Sequence, residues 1–389
     1  MGFISRAIPT LLRGVSQASD STKQSDHADI QDNANSSPVQ GLTKRSGSQY
    51  VATLSASELT NVHVHTINRD TNERYELILG NASISVYGLD GTAYTTANSK
   101  IAIPDGVSYL NSSNPRTDFK AVTIADYTFI VNTSKVAELL GDMSPGSDTA
   151  AIVFINQVTA DTDYSVKVNS TTATYNTGTS NLKTSTVAAD LKSDLDGGLS
   201  GFTVTQNGPV LWIRKDDGSD FTIDANDSQG NTQLTLVKDS VQTFTDLPTV
   251  APNNFVVEVK GDETTNFDNY YVKFVTNNGG SFEEGQWEET LKPNITYKIN
   301  PITMPHVLIR KADGDFIFAS VDGGSYTASG TTYYLPTWKD RTVGDLDTSP
   351  VPSFINTKIN NVIFFRNRLG FLADDNVILS RVSEFFNFF

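Results

Sequence analysis

Residues 359–381 read INNVIFFRNRLGFLADDNVILSR and form the most hydrophobic stretch of the chain. Apolar runs separated by short polar turns predict three successive β-strands here. The predicted strands cover residues 362–365, 369–372 and 377–380. Phe364, Phe365, Phe371 and Leu372 are predicted to lie in a core, because alternation and turns fit a packed sheet. An aromatic interface is the alternative.

Two arginines lie in the first of these turns. Arg366 and Arg368 flank Asn367 between the first two predicted strands. Guanidinium groups in a turn can donate paired hydrogen bonds to a neighbouring loop or subunit. Two solvated arginines are the alternative interpretation, since most surface ion pairs contribute little to stability. The three residues are therefore candidate interface residues.

The same β pattern runs through most of the chain from Tyr50 onward. Apolar and polar residues alternate at 63–67 and 75–79, and two more strands are predicted at 122–125 and 127–131. Turns rich in Gly, Asp and Asn separate these short strands, which is typical of a β-sandwich, a β-barrel or a propeller blade. The predicted fold class is mainly β.

One helix is predicted among the strands, over residues 186–195. It carries three apolar residues at helical spacing, which are Val187, Leu191 and Leu195. Thr186 is the predicted N-cap, and Gly197 and Gly198 are expected to end the helix. Strands surround this helix on both sides, so residues 149–245 are predicted to form a small α+β domain.

Changes in composition divide the chain into segments. Residues 14–48 are polar and rich in Ser, Asp, Gln and Asn, which predicts an irregular arm or loop. Such an arm has no core of its own and is expected to lie on the protein body or on a neighbouring subunit. The predicted segments are an N-terminal arm (1–49), a β-rich segment (50–140), the α+β domain (149–245), a second β-rich segment (255–345) and C-terminal strands (355–389).

Composition and charge exclude several classes of function. The 389 residues include no Cys, which rules out disulfides, Cys-ligated zinc and thiol nucleophiles. A net charge of −15 argues against a protein that grips nucleic acid through its phosphates. An acidic wall repels DNA and lets it slide past, although acidity that only maintains solubility is the alternative. No apolar run is long enough to span a bilayer.

The ionisable residues form no convincing catalytic or metal site. Four glutamates lie close together in the sequence, at Glu283, Glu284, Glu288 and Glu289. Glycoside hydrolysis needs two carboxyl groups facing each other across a cleft, whereas adjacent strand residues point to opposite faces. His63 and His65 share one strand face, but the neighbouring sequence adds no third metal ligand. No catalytic residue, cofactor or metal is predicted, and the protein is expected not to be an enzyme.

The last five residues are Phe385-Phe386-Asn387-Phe388-Phe389. A free terminus made of phenylalanines would expose apolar surface, which natural termini usually avoid. The expectation is that the chain is truncated, with burial of its end in a neighbouring subunit as the alternative.

Ten segments follow the order of a known protein family along the whole chain. They are residues 14–17, 41–45, 67–70, 114–118, 122–132, 270–272, 287–291, 304–306, 359–372 and 376–381. In sequence and order they resemble the nozzle family, or tail tubular protein B family, of T7-like short-tailed bacteriophages. Each segment alone is a weak signal, and the collinear order makes the resemblance specific. Residues 142–240 and 320–345 depart from the family in detail, and family members are considerably longer.

The resemblance implies a fold and a set of partners. The fold is a partial β-propeller, with blade strands in 50–140 and 355–389 and with the domain at 149–245 as an insertion. The implied assembly is a homohexameric ring in the virion tail, formed in the host cytoplasm. The implied partners are tail tubular protein A as adaptor, the tail fibre protein, double-stranded DNA in the lumen and the host envelope. Further candidate interface residues on this basis are Gly14, Gln17, Lys44 and Arg45.

Two other functions remain open at this level. A tail-associated protein that binds or degrades polysaccharide fits the acidity and the β structure, with Trp212, Trp287 and Trp338 as possible sugar platforms. A sandwich-type adhesin fits the composition equally well, but it does not explain the ordered segments.

Overall fold

The computed structural model describes residues 5, 11–54, 59–146, 149–180, 182–261, 269–328 and 330–389. The chain divides into two compact units, Met1–Ser55 and Ala56–Phe389. Strands far outnumber helices among the described residues, so the prediction of a mainly β protein is confirmed.

The strands of the smaller unit are β1 (Ala34–Ser37) and β2 (Gly41–Lys44). The described strands of the larger unit are β3 (His63–Asn68), β4 (Arg74–Gly80), β5 (Ser83–Gly88), β6 (Ala93–Tyr94), β7 (Ile101–Ala102), β8 (Phe119–Ile124), β9 (Tyr127–Asn132), β10 (Ala150–Ile155), β11 (Asp163–Val168), β12 (Thr171–Asn176), β13 (Phe202–Asn207), β14 (Val210–Lys215), β15 (Ile223–Asp227), β16 (Leu234–Val237), β17 (Ser240–Val241), β18 (Val250–Pro252), β19 (Val256–Val259), β20 (Tyr270–Thr276), β21 (Phe282–Thr290), β22 (His306–Arg310), β23 (Phe316–Ala319), β24 (Ser325–Ala328), β25 (Thr331–Tyr334), β26 (Ile359–Phe365), β27 (Arg368–Ala373) and β28 (Asn376–Leu379). The helices that lie wholly within the described residues are α1 (Pro115–Asp118) and α2 (Thr184–Gly198), with 3₁₀ turns at Ser108–Leu110 and Phe244–Asp246.

The smaller unit is more regular than its polar composition predicted. Strands β1 and β2 pair as an antiparallel hairpin, and Val15 forms an isolated parallel bridge with Ala28. Arg13 Nε lies 2.9 Å from a carboxylate oxygen of Asp26. The backbone ladder satisfies its polar groups without a hydrophobic core, so composition alone gives no signal for this hairpin. Val39 at its turn is 93% exposed.

Two sheets enclose the first core of the larger unit. The four-stranded sheet β3-β4-β5-β6 faces the five-stranded sheet β7-β23-β22-β9-β8. Side chains of both sheets fill the space between them, among them Leu77, Leu79, Phe119, Phe316 and Phe318. Tyr75, Tyr94 and Phe316 pack edge to face at centroid distances of 5.3–5.7 Å.

The chain leaves the five-stranded sheet after β9 and returns to it at β22. These two strands pair antiparallel, with His306 opposite Ile130. The departing and returning segments also pair with each other, because Leu139 bridges Ile299 and Met143 bridges Thr296. Strands β10 to β21 therefore lie on an excursion from the sheet.

The excursion holds its own cores. Helix α2 packs on the sheets β13-β14-β10-β16 and β12-β11-β15, and its residues Val187, Leu191 and Leu195 are buried as predicted. The helix begins at Thr184 with Lys183 as N-cap, so the predicted N-cap Thr186 is wrong. The N–H of Thr186 already donates to the Lys183 carbonyl, which places it inside the first turn. A second five-stranded sheet, β17-β19-β20-β21-β18, packs on the other side of β10 and β14.

The C-terminal strands β26, β27 and β28 form a three-stranded sheet, which confirms the three strands predicted there. One face packs on a core that includes Phe129, Trp338 and Phe371. The terminal phenylalanines join this core: Phe388 stacks on Phe371 at 4.8 Å, and the Phe386 ring lies 5.4 Å from Trp338. These rings are therefore partly buried within the chain itself, so the sequence argument that they would be exposed at a free end does not apply.

His306, the first residue of β22, is buried in an aromatic stack. Its ring lies 4.0 Å from that of Tyr109 at an interplanar angle of 10°, and Phe318 packs at 5.6 Å. Its Nδ1 is 3.0 Å from the Met304 carbonyl oxygen, so Nδ1–H donates in the neutral ring. Burial disfavours the imidazolium and lowers the pKa of His306 to about 4.

We expect His306 to make the protein less stable as the pH falls. An unfolded histidine binds a proton below about pH 6.5, whereas folded His306 binds one only near pH 4. The unfolded state thus binds more protons between these values, and the free energy of unfolding falls by about 3 kcal/mol across the window. Urea denaturation of wild type and of His306→Phe at several pH values measures this.

His306→Phe keeps an aromatic ring in the stack and cannot titrate. Its free energy of unfolding should depend less steeply on pH between 6.5 and 4 than that of wild type. The other three histidines are unchanged in both proteins, so the difference reports on this position. Parallel pH profiles for the two proteins would contradict the assignment.

Candidate functional site

A tight turn at Arg366 and Asn367 joins β26 to β27. Their φ angles are 46° and 59°, and the flanking residues Phe365 and Arg368 pair directly. A two-residue hairpin loop with positive φ at both positions is a type I′ turn. Asn tolerates this backbone conformation, whereas for Arg366 it costs about 1–2 kcal/mol. Backbone strain of this kind concentrates at functional sites.

The two arginines of this turn have different environments. Arg368 is half-buried, and its guanidinium donates to the Ser380 carbonyl at 3.4 Å. Asn367 donates from Nδ2 to Ser383 Oγ at 2.5 Å and accepts the Ser383 N–H at 2.9 Å. Arg366 is exposed, with its guanidinium carbon 5.3 Å from the Phe365 ring centroid. Arg368 and Asn367 thus hold the hairpin to its own chain, and Arg366 remains available to another molecule.

The sheet face opposite the core is apolar. The strand register places Ile363, Gly370 and Leu379 in one row, while Val362 and Phe371 lie on the core side. We call this second face the outer face, and its apolar residues are Ile363, Phe365, Leu372, Val377 and Leu379.

The outer face is continuous across the central strand. A Cβ atom on Gly370 would lie 2.7 Å from Leu379 Cδ2 and 2.8 Å from Ile363 Cγ1, so these two side chains close over the glycine. Phe365 is 53% exposed and Val377 is 62% exposed. Exposed apolar surface of this kind marks contact sites with other molecules.

The core prediction for the phenylalanines is correct for Phe371 and wrong for Phe365. Phe371 is fully buried, whereas Phe364 and Phe365 are 44% and 53% exposed. Strand alternation sends these two neighbours to opposite faces, and both lie next to the turn at the end of the hairpin. Phe364 still packs edge to face on Phe385 at 5.8 Å.

The other four candidate interface residues lie in the smaller unit. Gly14 has a φ of +71°, and its carbonyl accepts the Ala28 N–H at 2.9 Å, so its role there is in the backbone. Gln17 is exposed. Lys44 ends β2, and the exposed Arg45 donates its N–H to the Asn33 carbonyl at 2.8 Å. The Gln17, Lys44 and Arg45 side chains therefore present polar groups to solvent.

The acidic and histidine clusters have structural explanations. Glu283 accepts the N–H groups of Asn278 and Gly280 at 2.9 and 3.0 Å, and these hydrogen bonds lower its pKa. His65 Nε2 lies 2.9 Å from Thr123 Oγ1, and burial is the largest cause that lowers the pKa values of His63 and His65. Within the described ranges, no three His, Asp or Glu side chains are grouped to hold a metal ion.

The tryptophans do not form open sugar platforms. Trp338 is 2% exposed and belongs to the C-terminal core. Trp212 and Trp287 are half-buried, and Trp287 Nε1 donates to the Pro248 carbonyl at 2.8 Å. The assumption that these three tryptophans are exposed, as a polysaccharide-binding protein would require, is therefore wrong. No helix of the described segments combines the length and the apolar character needed to cross a bilayer.

The family model described as bacteriophage nozzle protein matches residues 1–389. The chain belongs to this family. It is also similar to tail tubular protein gp12 of Escherichia phage T7, with 32% identity over 415 aligned residues. That match covers 100% of this chain and 48% of the T7 protein, so the chain spans about half the length of this curated relative. The resemblance seen in the sequence is confirmed: this nozzle-family chain is a structural component of the virion tail.

The strained turn predicts that Arg366→Asn stabilises the protein. Asparagine adopts positive φ more readily, while the exposed contact of the guanidinium with Phe365 is lost. We expect the free energy of unfolding to rise by about 0.5 kcal/mol, measured by urea denaturation. Arg366→Lys keeps both the charge and the strain and should leave stability unchanged. A clear loss of stability in Arg366→Asn would show that the arginine makes a stabilising contact.

Proposed function

We propose that this nozzle-family chain builds a ring with a central channel in the short tail tube, through which double-stranded DNA leaves the particle. Six copies form the ring, as the family resemblance implies. The outer face supports this proposal, because Phe365 and Val377 are exposed there on a protein of net charge −15. An apolar surface with a strained, basic turn at its end suits contact with a neighbouring subunit.

The family resemblance also supplies the proposed partners of the ring. Tail tubular protein A would hold the ring as its adaptor, tail fibre proteins would attach beside it, and the distal end would meet the host envelope. Arg366 is the candidate contact in the larger unit, with Asn367 and Arg368 holding its turn. Gln17, Lys44 and Arg45 would serve in the smaller unit, with Gly14 shaping its backbone.

The proposed fold is a partial propeller with an insertion. The sheets that contain β3–β9 and β26–β28 would supply blade strands. The excursion between β9 and β22 would project from them, because its two connecting segments pair with each other at Leu139–Ile299 and Met143–Thr296. The predicted α+β domain at 149–245 lies within this excursion.

The assembly can be tested with substitutions on the outer face. Phe365→Asp and Val377→Asp place a carboxylate on surface that the proposal buries between subunits. We expect each to lower the fraction of ring-shaped particles at least tenfold, since burying an unpaired charge costs several kcal/mol. Light scattering and negative-stain imaging of the full-length protein, alone and with the adaptor, measure this fraction.

Val64→Asp is the matched control for Val377→Asp. Val64 is a strand valine with 51% exposure on β3, away from the outer face. It should assemble like wild type, and thermal unfolding should show that all three variants remain folded. Equal loss of rings in Val64→Asp and Val377→Asp would argue against the outer face, and a wild-type protein that stays monomeric with its adaptor would argue against the ring.

The net charge of the chain predicts that it does not bind DNA tightly. With 44 acidic and 29 basic residues, the protein cannot replace the counterions of many phosphates. We expect no retention of double-stranded DNA by the assembled ring at about 50 mM salt, where phosphate-binding proteins bind tightly. Filter binding measures this, with a DNA-binding protein as positive control. Tight binding that weakens steeply with added salt would contradict a channel that DNA passes without adhering.

A further inference from the structure

Arg341 is a buried cation without an acceptor. Its exposure is 1%, and none of its three side-chain nitrogens has a hydrogen-bond partner among the described residues. A guanidinium carries five N–H donors, and leaving them unpaired inside a protein is costly. Buried arginines are normally paired, so this one requires an explanation.

The surroundings of Arg341 do not supply its counter-charge. Its backbone N–H donates to the Tyr297 carbonyl at 3.0 Å, which fixes the main chain. Asp345 exerts an attraction, and its Oδ1 accepts the N–H groups of Asp347 and Thr348, each at 2.9 Å, but no hydrogen bond joins its carboxylate to the Arg341 guanidinium. Burial lowers the pKa of Arg341, in keeping with a charge held away from water.

A cavity of about 420 Å³ lies beside this residue. Every residue of 337–343 except Arg341 lines it, so Arg341 lies between lining residues in the chain. Arg381 and Phe389 line another part of the wall. The Arg341 guanidinium carbon lies 5.7 Å from the Phe389 ring centroid, which places the half-buried ring next to both the guanidinium and the cavity.

The polar groups of the cavity favour an anion. Lys339 and Arg381 contribute positive charge, and one carboxylate, Asp340, lies among them. Burial raises the pKa of Asp340. Trp338 also lines the cavity, and its buried Nε1–H has no acceptor either. One unpaired donor, Trp338 Nε1–H, thus lies on the residue of the cavity lining three positions before Arg341.

We propose that this cavity is a binding site for a carboxylate group, which pairs with Arg341 when the Phe389 ring turns aside. A carboxylate matches the planar fork of a guanidinium and accepts two parallel hydrogen bonds from it. The natural source would be an aspartate or glutamate side chain of another polypeptide segment. Arg341 would then contribute to binding rather than to the stability of the isolated chain.

Formate is the probe, because it is a carboxylate small enough to enter the cavity. Urea denaturation is followed in sodium formate and in sodium chloride at matched ionic strength. A ligand that binds only the folded state at 100 times its Kd raises the folding equilibrium constant about 100-fold. We expect a saturable, formate-specific increase for wild type. Equal stability in the two salts at all concentrations would overturn the proposal.

Substitutions locate the effect. Arg341→Met should remove the formate response while keeping the chain folded, since it replaces an unpaired buried charge with an apolar side chain of similar length. Arg341→Lys retains a charge without the fork, so its Kd for formate should rise at least tenfold. Arg366→Met, the same substitution at the exposed turn, should respond like wild type. A response that persists in Arg341→Met would place formate elsewhere and overturn the assignment.

Phe389→Ala separates this site from a general effect of salt. Removing the ring should open the path to Arg341 and lower the Kd for formate, while an unchanged or weaker response would contradict the role of the ring.

A further experiment distinguishes the two sources of the carboxylate by the effect of formate on assembly. If a second copy supplies it, formate lowers the mass of self-assembled particles; if the adaptor supplies it, formate dissociates only the mixed complex. Either result supports the site. If formate changes neither the self-assembled particles nor the mixed complex of the wild-type protein, the role of the site in assembly is overturned.

Discussion

The antiparallel pairing of β9 with β22 is the contact on which the larger unit depends. Ile130 lies opposite His306, and the chain between them contains all strands from β10 to β21. Closing such a long loop costs conformational entropy before any contact stabilises it. The pairing is supported on both faces, because Ile130 and Leu308 lie in one core, while Phe129 and Val307 lie in the other. This strand pair therefore joins the two cores and fixes where the excursion begins and ends.

Local features of the sequence predicted the strands but not their partners. The three strands of residues 359–381 were predictable because alternation and turn residues act over a few positions. No such signal connects β9 to β22, whose pairing depends on tertiary contacts. The N-cap prediction for α2 was also wrong: Thr186 has the right chemistry, but the helix begins two residues earlier, at Thr184, with no side-chain cap at Lys183. At the candidate site, Arg366 was selected as a candidate contact from its sequence, whereas the exposure of Phe365 follows from where the hairpin ends relative to the core.

The candidate site is where local preference and structure disagree. A type I′ turn favours Asn-Gly, yet Arg366 occupies its first position with positive φ. Phe364 and Phe365, the last two residues of β26, are apolar and exposed, although a soluble surface favours polar side chains there. The contact of Phe364 with Phe385 explains one of these rings, but folding of the isolated chain explains neither Arg366 nor Phe365. Conflicts of this kind are expected at positions selected for contact with another molecule, where the loss of stability is offset on binding.

The charges around Arg341 also distinguish what stabilises the single chain from what suits contact with another molecule. Carboxylates outnumber the basic residues, 44 to 29, and two other basic side chains with little exposure, Arg310 and Lys311, have acidic partners. Arg310 lies 2.5 Å from Glu73, and Lys311 lies 2.8 Å from Asp313. A shortage of acidic residues therefore cannot explain why Arg341 is buried without one. Since a buried cation destabilises the fold that contains it, its retention is consistent with a carboxylate that arrives from outside this fold. Stability of the single chain and contact with other molecules then impose different requirements on one sequence, and in the two proposals Arg341 and Arg366 both serve the second.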